Sequence, residues 1–319
     1  MNKTVSVILA LALPSLLAFG QEVAVVVKTG NSSFWQNVQT GALDAQKELR
    51  KGSSKFSVTF LGPQAESNVN EEINIVESAI DRGAKAIVLA PSDTTALIPV
   101  VKKAKAAGIK VIIIDSKLEG PASNYDSFLA TDNKAAGEAC AKELIARVKA
   151  STGKDTGSIA VESYVAGVGS EVGRVGGFKD YIAKNSKLKI VSTQYSQSDQ
   201  VTALNQVTNI LNSNPDLVGI FGANEPSAVG MGRAIAQAGL AGKIVAVGFD
   251  GNGVLQNFVK DGTLQAICVQ SSYNMGYVGV KTAFDVSIGK KKIANYVDTG
   301  FLLVTKDNIA STQAKNVLY

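Results

Sequence analysis

Histidine is absent from all 319 residues of the chain. Its absence excludes Ser-His-Asp and Cys-His nucleophilic catalysis and every metal site built on imidazole, and most hydrolase chemistries go with them. Cysteine is scarce: Cys140 and Cys268 are the only two, far short of a disulfide framework. One lies in an Ala-rich helical stretch and the other inside a strand-like run. Both therefore read as small buried hydrophobes, with a single bridge left open in an oxidising compartment. Clustered charge is missing too. The net charge is +5, but the basic residues are scattered. The one run, Lys290 to Lys292, falls at an expected helix end, where lysines complement the helix dipole and stay solvated. No nucleic-acid partner is expected of such a surface.

The apolar stretch from Val5 to Phe19 is shorter than the roughly 20 residues a membrane span needs, and Pro14 interrupts it. With Lys3 ahead of it and the small residues Ala18 and Gly20 just before Gln21, it has the three-part form of a secretory signal rather than of an anchor. Residues 1–20 are expected to be removed after Gly20, leaving a soluble, exported product. No cysteine near that junction indicates a lipid anchor.

What is present is a repeated unit. Apolar runs of strand length, rich in Val and Ile, end in polar side chains. Ala84 to Ala90 runs into Ser92 and Asp93, Val111 to Ile114 into Asp115, Val218 to Gly222 into Asn224, Ile244 to Phe249 into Asp250, and Ala266 to Val269 into Gln270. Helix-like stretches closed by Gly, such as Ala104 to Gly108, come before them. That is the punctuation of parallel βα units, and in an open parallel sheet the carboxyl ends of the strands line the ligand crevice. The strand ends predict one pocket for a small hydroxylated molecule.

Val23 to Lys28 reads as the first strand, and Asn31, Ser32 and Ser33 start a helix from Phe34 to Arg50. Strands at Val58–Leu61, Ala86–Leu89, Val111–Ile114 and Phe128–Ala130, with helices at Thr94–Ala107 and Ala135–Val148, complete a doubly wound set. From Ser158 the pattern restarts, and Val201, Leu204, Val207 and Ile210 show the helical period plainly. Two similar α/β lobes are expected, joined by short crossings rather than a flexible tether, with the pocket between them.

Gly167-Val168-Gly169 followed by Gly173 has the spacing GxGxxxG, and the next strand ends in Tyr195 and Ser196 rather than an acidic residue. This is not the dinucleotide fingerprint, and no cofactor is expected. The glycines read as a loop opening onto a helix. One turn into it stands Arg174, either a donor to several ligand oxygens or an ordinary surface salt-bridge arginine. Phe34 and Trp35 fit a hydrophobic staple or core. Yet Trp35 is the only tryptophan and falls at the crevice mouth, where a flat ring suits the C–H face of a sugar. Asp115 and Asp250 follow strands in matching positions of the two halves. One carboxylate per lobe, neither with an obvious partner to raise its pKa, does not suit a glycosidase pair, but it suits vicinal hydroxyls. The plainer reading of Asp250 is a cap for a helix beginning at Gly251 to Val254.

Together these segments resemble the ribose/galactose type of periplasmic sugar-binding proteins, the substrate-capturing component of ABC importers. The resemblance runs from Val23 to about Thr305. It rests on Thr29-Gly-Asn-Ser-Ser-Phe-Trp35, Ala130-Thr-Asp-Asn133, Arg174-Val-Gly-Gly-Phe178, Asn224-Glu225, Val247-Gly-Phe-Asp-Gly251 and Gln270, in that order. It implies the type I periplasmic-binding-protein fold: two doubly wound parallel-sheet α/β lobes, an N-terminal one of residues 21–131 plus 271–299 and a C-terminal one of 132–270 plus 300–319. Three hinge crossings near Thr131-Asp132, Gln270-Ser271 and Thr299-Gly300 would join them, so that the helix after Ser271 returns to the first lobe. As ligand contacts it implies Ser32, Phe34, Trp35 and Asp115 from one side and Arg174, Asn224, Asp250 and Gln270 from the other. It further implies a monomeric, non-enzymatic, periplasmic protein whose partner is a membrane permease. Ribose-binding members carry Asp-Arg where this chain has Asp115-Ser116, Asn at Ser32 and at Ala90, and an aromatic near Ser198. These departures point away from ribose and toward a roomier pocket for another aldose, a polyol or a cyclitol. An exported sensor presenting its ligand to a chemoreceptor or histidine kinase is the alternative role.

Overall fold

The computed structural model describes residues 21–53, 55–290 and 293–319. The expected signal segment, residues 1–20, and Lys291 and Lys292 of the basic run lie outside the described residues. The chain first alternates β1 (Gln21–Val26), α1 (Ser33–Leu49), β2 (Phe56–Leu61), α2 (Val69–Asp81), β3 (Ala86–Leu89), α3 (Ile98–Ala106), β4 (Lys110–Ile114) and β5 (Ser127–Ala130). It then runs through α4 (Asn133–Thr152), β6 (Thr156–Ser163), α5 (Gly169–Asn185), β7 (Lys187–Tyr195), α6 (Gln200–Ser213), β8 (Leu217–Gly222), α7 (Glu225–Gln237), β9 (Val245–Phe249), α8 (Gly253–Asp261) and β10 (Ala266–Gln270). α9 (Ser272–Ser287), β11 (Tyr296–Asp298), β12 (Phe301–Thr305) and α10 (Thr312–Lys315) follow.

The strands form two six-stranded sheets, ordered β11-β5-β4-β3-β1-β2 and β12-β10-β9-β8-β6-β7. The pairings are parallel except that of β10 with β12. Both orders are one winding used twice. Each reverses direction at its first strand, β1 or β6, and at that switch point an open sheet leaves a crevice beyond its carboxyl edge. Helices cover both faces. In β1, Val23 and Val25 enter one core while Ala24 and Val26 enter the other, which explains apolar runs that are continuous rather than alternating.

The chain passes between the sheets three times. After β5 it enters α4, which packs on α5 and over β9 and β10; after β10 it enters α9, which lies along α1 and over β3 and β4; β11 and β12 belong to different sheets. The first and third of these passages are tied together. Thr299 N donates to Ala130 O at 3.0 Å, and Asp298 Oδ1 accepts from both Asp132 N (3.3 Å) and Gly300 N (2.8 Å). Two helix pairs, α1–α9 through Gly41 and Gly276 and α4–α5, cross at backbone contact. A β-carbon on Gly137 of α4 would overlap the carbonyl of Arg174, and one on Gly177 of α5 would meet Lys134 O, so these glycines set the seat of Arg174. α3 starts at Ile98, not at Thr94, because Asp93 Oδ1 accepts from Thr95 N and Ala96 N and holds the preceding residues in a turn.

Candidate ligand-binding site

Ser32, Phe34, Trp35, Asp115, Arg174, Asn224, Asp250 and Gln270 line one cavity between the carboxyl edges of the two sheets. Lys28, Glu66, Tyr164, Ser170, Glu225 and Pro226 complete the lining. The strand-end rule fails at β3. Ser92 and Asp93 are not in the wall: Ser92 N is taken by the buried carboxylate of Glu72 at 3.0 Å, and Asp93 is engaged in the turn before α3.

Each aspartate directly follows a central strand with left-handed backbone, φ +61° at Asp115 and +73° at Asp250. Among the described residues only two other non-glycine positions have positive φ, Gln197 and Ser198, and both lie at the mouth of the same cleft. Unusual backbone thus concentrates where the lobes meet, as it does at functional sites generally. Asp250 Oδ1 accepts from Gln270 Nε2 and its Oδ2 from Glu225 N, both at 2.9 Å. It therefore ties β9 to the start of α7. The cap of α8 is Asn252, which accepts from Leu255 N at 3.0 Å, so the reading of Asp250 as that cap is corrected. Burial pushes the Asp250 carboxyl up to about 6, although the Arg174 guanidinium draws it down. Among the described residues the buried Gln270 Oε1 atom has no partner.

Lys28 is the lining residue most plainly missed. Its ammonium lies 2.6 Å from Asp115 Oδ2 and 2.7 Å from Ser116 Oγ. It ends the first apolar run just as the other wall residues end theirs, and that was the signal available. Its side chain stands beside Asp115 and Ser116, the position where the resemblance places an arginine in ribose-binding members. Ser116 Oγ and Ser170 Oγ stand 3.0 Å apart across the cleft, and Tyr164 Oη donates to Ser170 Oγ at 2.9 Å.

Arg174 is buried, not a surface arginine. Its guanidinium stacks 3.6 Å over the Phe249 ring, donates from Nη1 to Ala223 O (2.7 Å) and from Nε and Nη2 to Asn133 Oδ1 (3.1 and 2.7 Å). Three of its N–H groups are thereby engaged, out of the five a guanidinium carries. Asn224 caps α7 by accepting from Ser227 N at 3.0 Å, and Ser32 caps α1 by accepting from Trp35 N at 3.3 Å. Phe34 and Trp35 meet edge to face at 4.8 Å, and Trp35 Nε1 donates to Glu66 Oε1 at 3.1 Å. The glycine loop serves close approach: a β-carbon on Gly169 would stand 3.1 Å from Lys117 O of the facing lobe.

Cys140 and Cys268 are buried and unbridged. Among the described residues no His, Cys, Asp or Glu group of three has the arrangement of a metal site, and no helix is long and apolar enough to cross a membrane.

Residues 23–291 match the family model for the periplasmic binding protein domain. The D-allose-binding periplasmic protein of Escherichia coli (strain K12) is 30% identical over 297 residues, 92% of either chain. An ABC transporter solute binding protein from Agrobacterium vitis, solved with bound D-fucose, is 58% identical with a TM-score of 0.88, covering 93% of this chain and 100% of that one. A carbohydrate transporter solute binding protein from Agrobacterium radiobacter, solved with D-arabinose, is 36% identical with a TM-score of 0.89, covering 95% and 100%. Two sheets of one winding, a polar cavity walled by both, and likeness along nearly the whole described chain lead to one assignment: the chain belongs to the periplasmic binding protein domain family.

Proposed function

We propose that this chain is the substrate-binding protein of an ABC importer, exported to the periplasm under the direction of residues 1–20, and that it captures a neutral monosaccharide. The ligand would lie between lobes 21–131 plus 271–299 and 132–270 plus 300–319. The observation that carries this reading is the chemistry of the wall. Asp115 and Asp250 approach from opposite sheets, Gln270 Oε1 is buried without a donor, and Phe34 and Trp35 add an apolar face. A buried acceptor short of a donor, beside carboxylates with lone pairs to spare, calls for a ligand rich in hydroxyls, and an aromatic wall takes the C–H face of a pyranose. The N–H groups that Arg174 does not spend on Ala223 and Asn133 suit ring and hydroxyl oxygens. D-fucose in the relative at 58% identity supports an aldohexopyranose.

Contacts divided between two lobes are all satisfied only when both face the same molecule, so binding draws them together and the closed monomer is what the membrane permease receives. A thermal-shift screen of aldoses, ketoses, polyols and cyclitols tests the reading. A ligand at a hundredfold excess over its Kd stabilises by about 2.7 kcal/mol. D-fucose or a close stereoisomer is expected to raise the melting temperature; stabilisation by nucleotides or amino acids and by no sugar would overturn the reading.

A further inference from the structure

Two glutamates of the cavity wall have their oxygens engaged by protein across the cleft. Glu66, between β2 and α2, accepts from Trp35 Nε1 (3.1 Å) in its own lobe and from Ser198 Oγ (2.8 Å) in the other. Glu225, the first residue of α7, accepts from Ser33 N (3.2 Å) in the facing lobe and from Tyr319 Oη (3.1 Å). The plan is reciprocal. Each lobe supplies one glutamate; one oxygen is held by a large aromatic donor, and the other is taken by a serine of the opposite lobe.

Tyr319 is itself placed between the lobes. Its N–H donates to Gly251 O at 3.2 Å and its carbonyl accepts from Gln256 Nε2 at 3.1 Å, while its ring packs against the core cluster of the first lobe that contains Phe34, Val38 and Met275. Ser33 N is a first-turn N–H of α1, a donor that the helix cannot satisfy internally. Ser32 takes only Trp35 N, so Glu225 caps α1 from the other lobe by accepting the free first-turn donor. Ser198 is held at Glu66 by left-handed backbone (φ +58°) following Gln197 (φ +56°), and Asn224 Nδ2 donates to its hydroxyl at 3.1 Å.

We infer that Glu66–Ser198 and Glu225–Ser33 are reciprocal latches that hold the lobes closed, with Trp35 and Tyr319 as positioning residues that aim each glutamate across the cleft. The inference rests on the proposed closure of the two lobes. Both glutamates are nearly buried, so each latch is a hydrogen bond shielded from water when closed and exposed to competing solvent when open. A ligand enters the open form and leaves by reopening it. The latches therefore act on dissociation far more than on association.

Ser198→Ala and Tyr319→Phe, singly and together, remove one hydroxyl each from residues outside the cavity wall. Stopped-flow binding of D-fucose, read from Trp35 fluorescence, is expected to show dissociation faster by about 2- to 12-fold per variant, the span for an ordinary hydrogen bond, with association within about twofold. Inter-lobe distances are read by single-molecule fluorescence from cysteines introduced on α2 and α6, with the native cysteines buried. They should show a smaller closed population in the variants, both unliganded and at saturating D-fucose. Unchanged dissociation and unchanged closed populations would overturn the latches, as would a lowered melting temperature with neither kinetic nor distance effect. Should D-fucose fail to bind the wild-type protein, the sugar reading is what suffers. The unliganded distances then decide the latches alone, and identical populations in wild type and double variant would overturn them.

Discussion

Lys28 and Asp115 form an ion pair at 2.6 Å with side chains only 2% and 5% exposed, reaching past β3, which separates their strands in the sheet. A buried pair adds little net stability, but removing one partner strands the other charge and costs about 3–5 kcal/mol. Lys28→Met is expected to lower stability by that order in denaturant unfolding. Adding Asp115→Asn should restore most of the loss while sugar affinity stays weak. Full stability in the single variant would show that Asp115 finds another counter-charge.

Asp250→Ala is expected to weaken sugar binding by about 10- to 150-fold, because a hydrogen bond to a charged acceptor contributes roughly 1.5–3 kcal/mol. Stability should fall by less, since what is lost there is the tie from β9 to Glu225 N and Gln270. Titration calorimetry and an unliganded melting curve separate the two. Affinity held within about threefold, under 1 kcal/mol, would remove Asp250 from the site.

Trp35 is the sole tryptophan and forms part of the cavity wall, so all indole emission reports on the cleft. Adding the ligand should shift or quench that emission saturably, with the Kd found by calorimetry. Trp35→Phe should abolish the signal and weaken binding through loss of ring area and of the bond to Glu66. Emission that stays constant while calorimetry records binding would place the sugar away from this wall.

Glu162, at the carboxyl end of β6, is wholly buried, neither carboxyl oxygen has a partner among the described residues, and burial pushes its pKa from 4.5 up to about 8. An acid raised in this way holds its proton longer in the folded than in the unfolded chain. The stability it confers is therefore full below about 4.5 and is lost as pH rises through about 8. Stability should decline across that window by at most about 1.4 kcal/mol per pH unit for this one proton. Glu162→Gln should flatten the slope without abolishing it, because burial raises Glu72 and Glu225 to about 7 in the same sense. Parallel pH profiles for variant and wild type, measured by denaturant unfolding, would show that Glu162 does not titrate there.

Local chemistry was enough for the sheets and for much of the cavity wall. Strand-length runs of Val and Ile that stay apolar on both faces read as strands covered by helices on both sides, and polar residues at the carboxyl ends of such strands tend to converge by the geometry of winding. Asp115, Asn224, Asp250 and Gln270 were legible for that reason, and Lys28 carried the same mark at the end of β1. The same rule misplaced Ser92 and Asp93, because the buried carboxylate of Glu72, 20 residues away, claims the backbone there. Which groups meet across the cleft was settled only by the tertiary structure. Glu225 serves Ser33 from 192 residues away, and Ser198 reaches Glu66 from 132. No periodicity or spacing encodes such pairs, since each depends on where two separately folded sheets come to rest against one another.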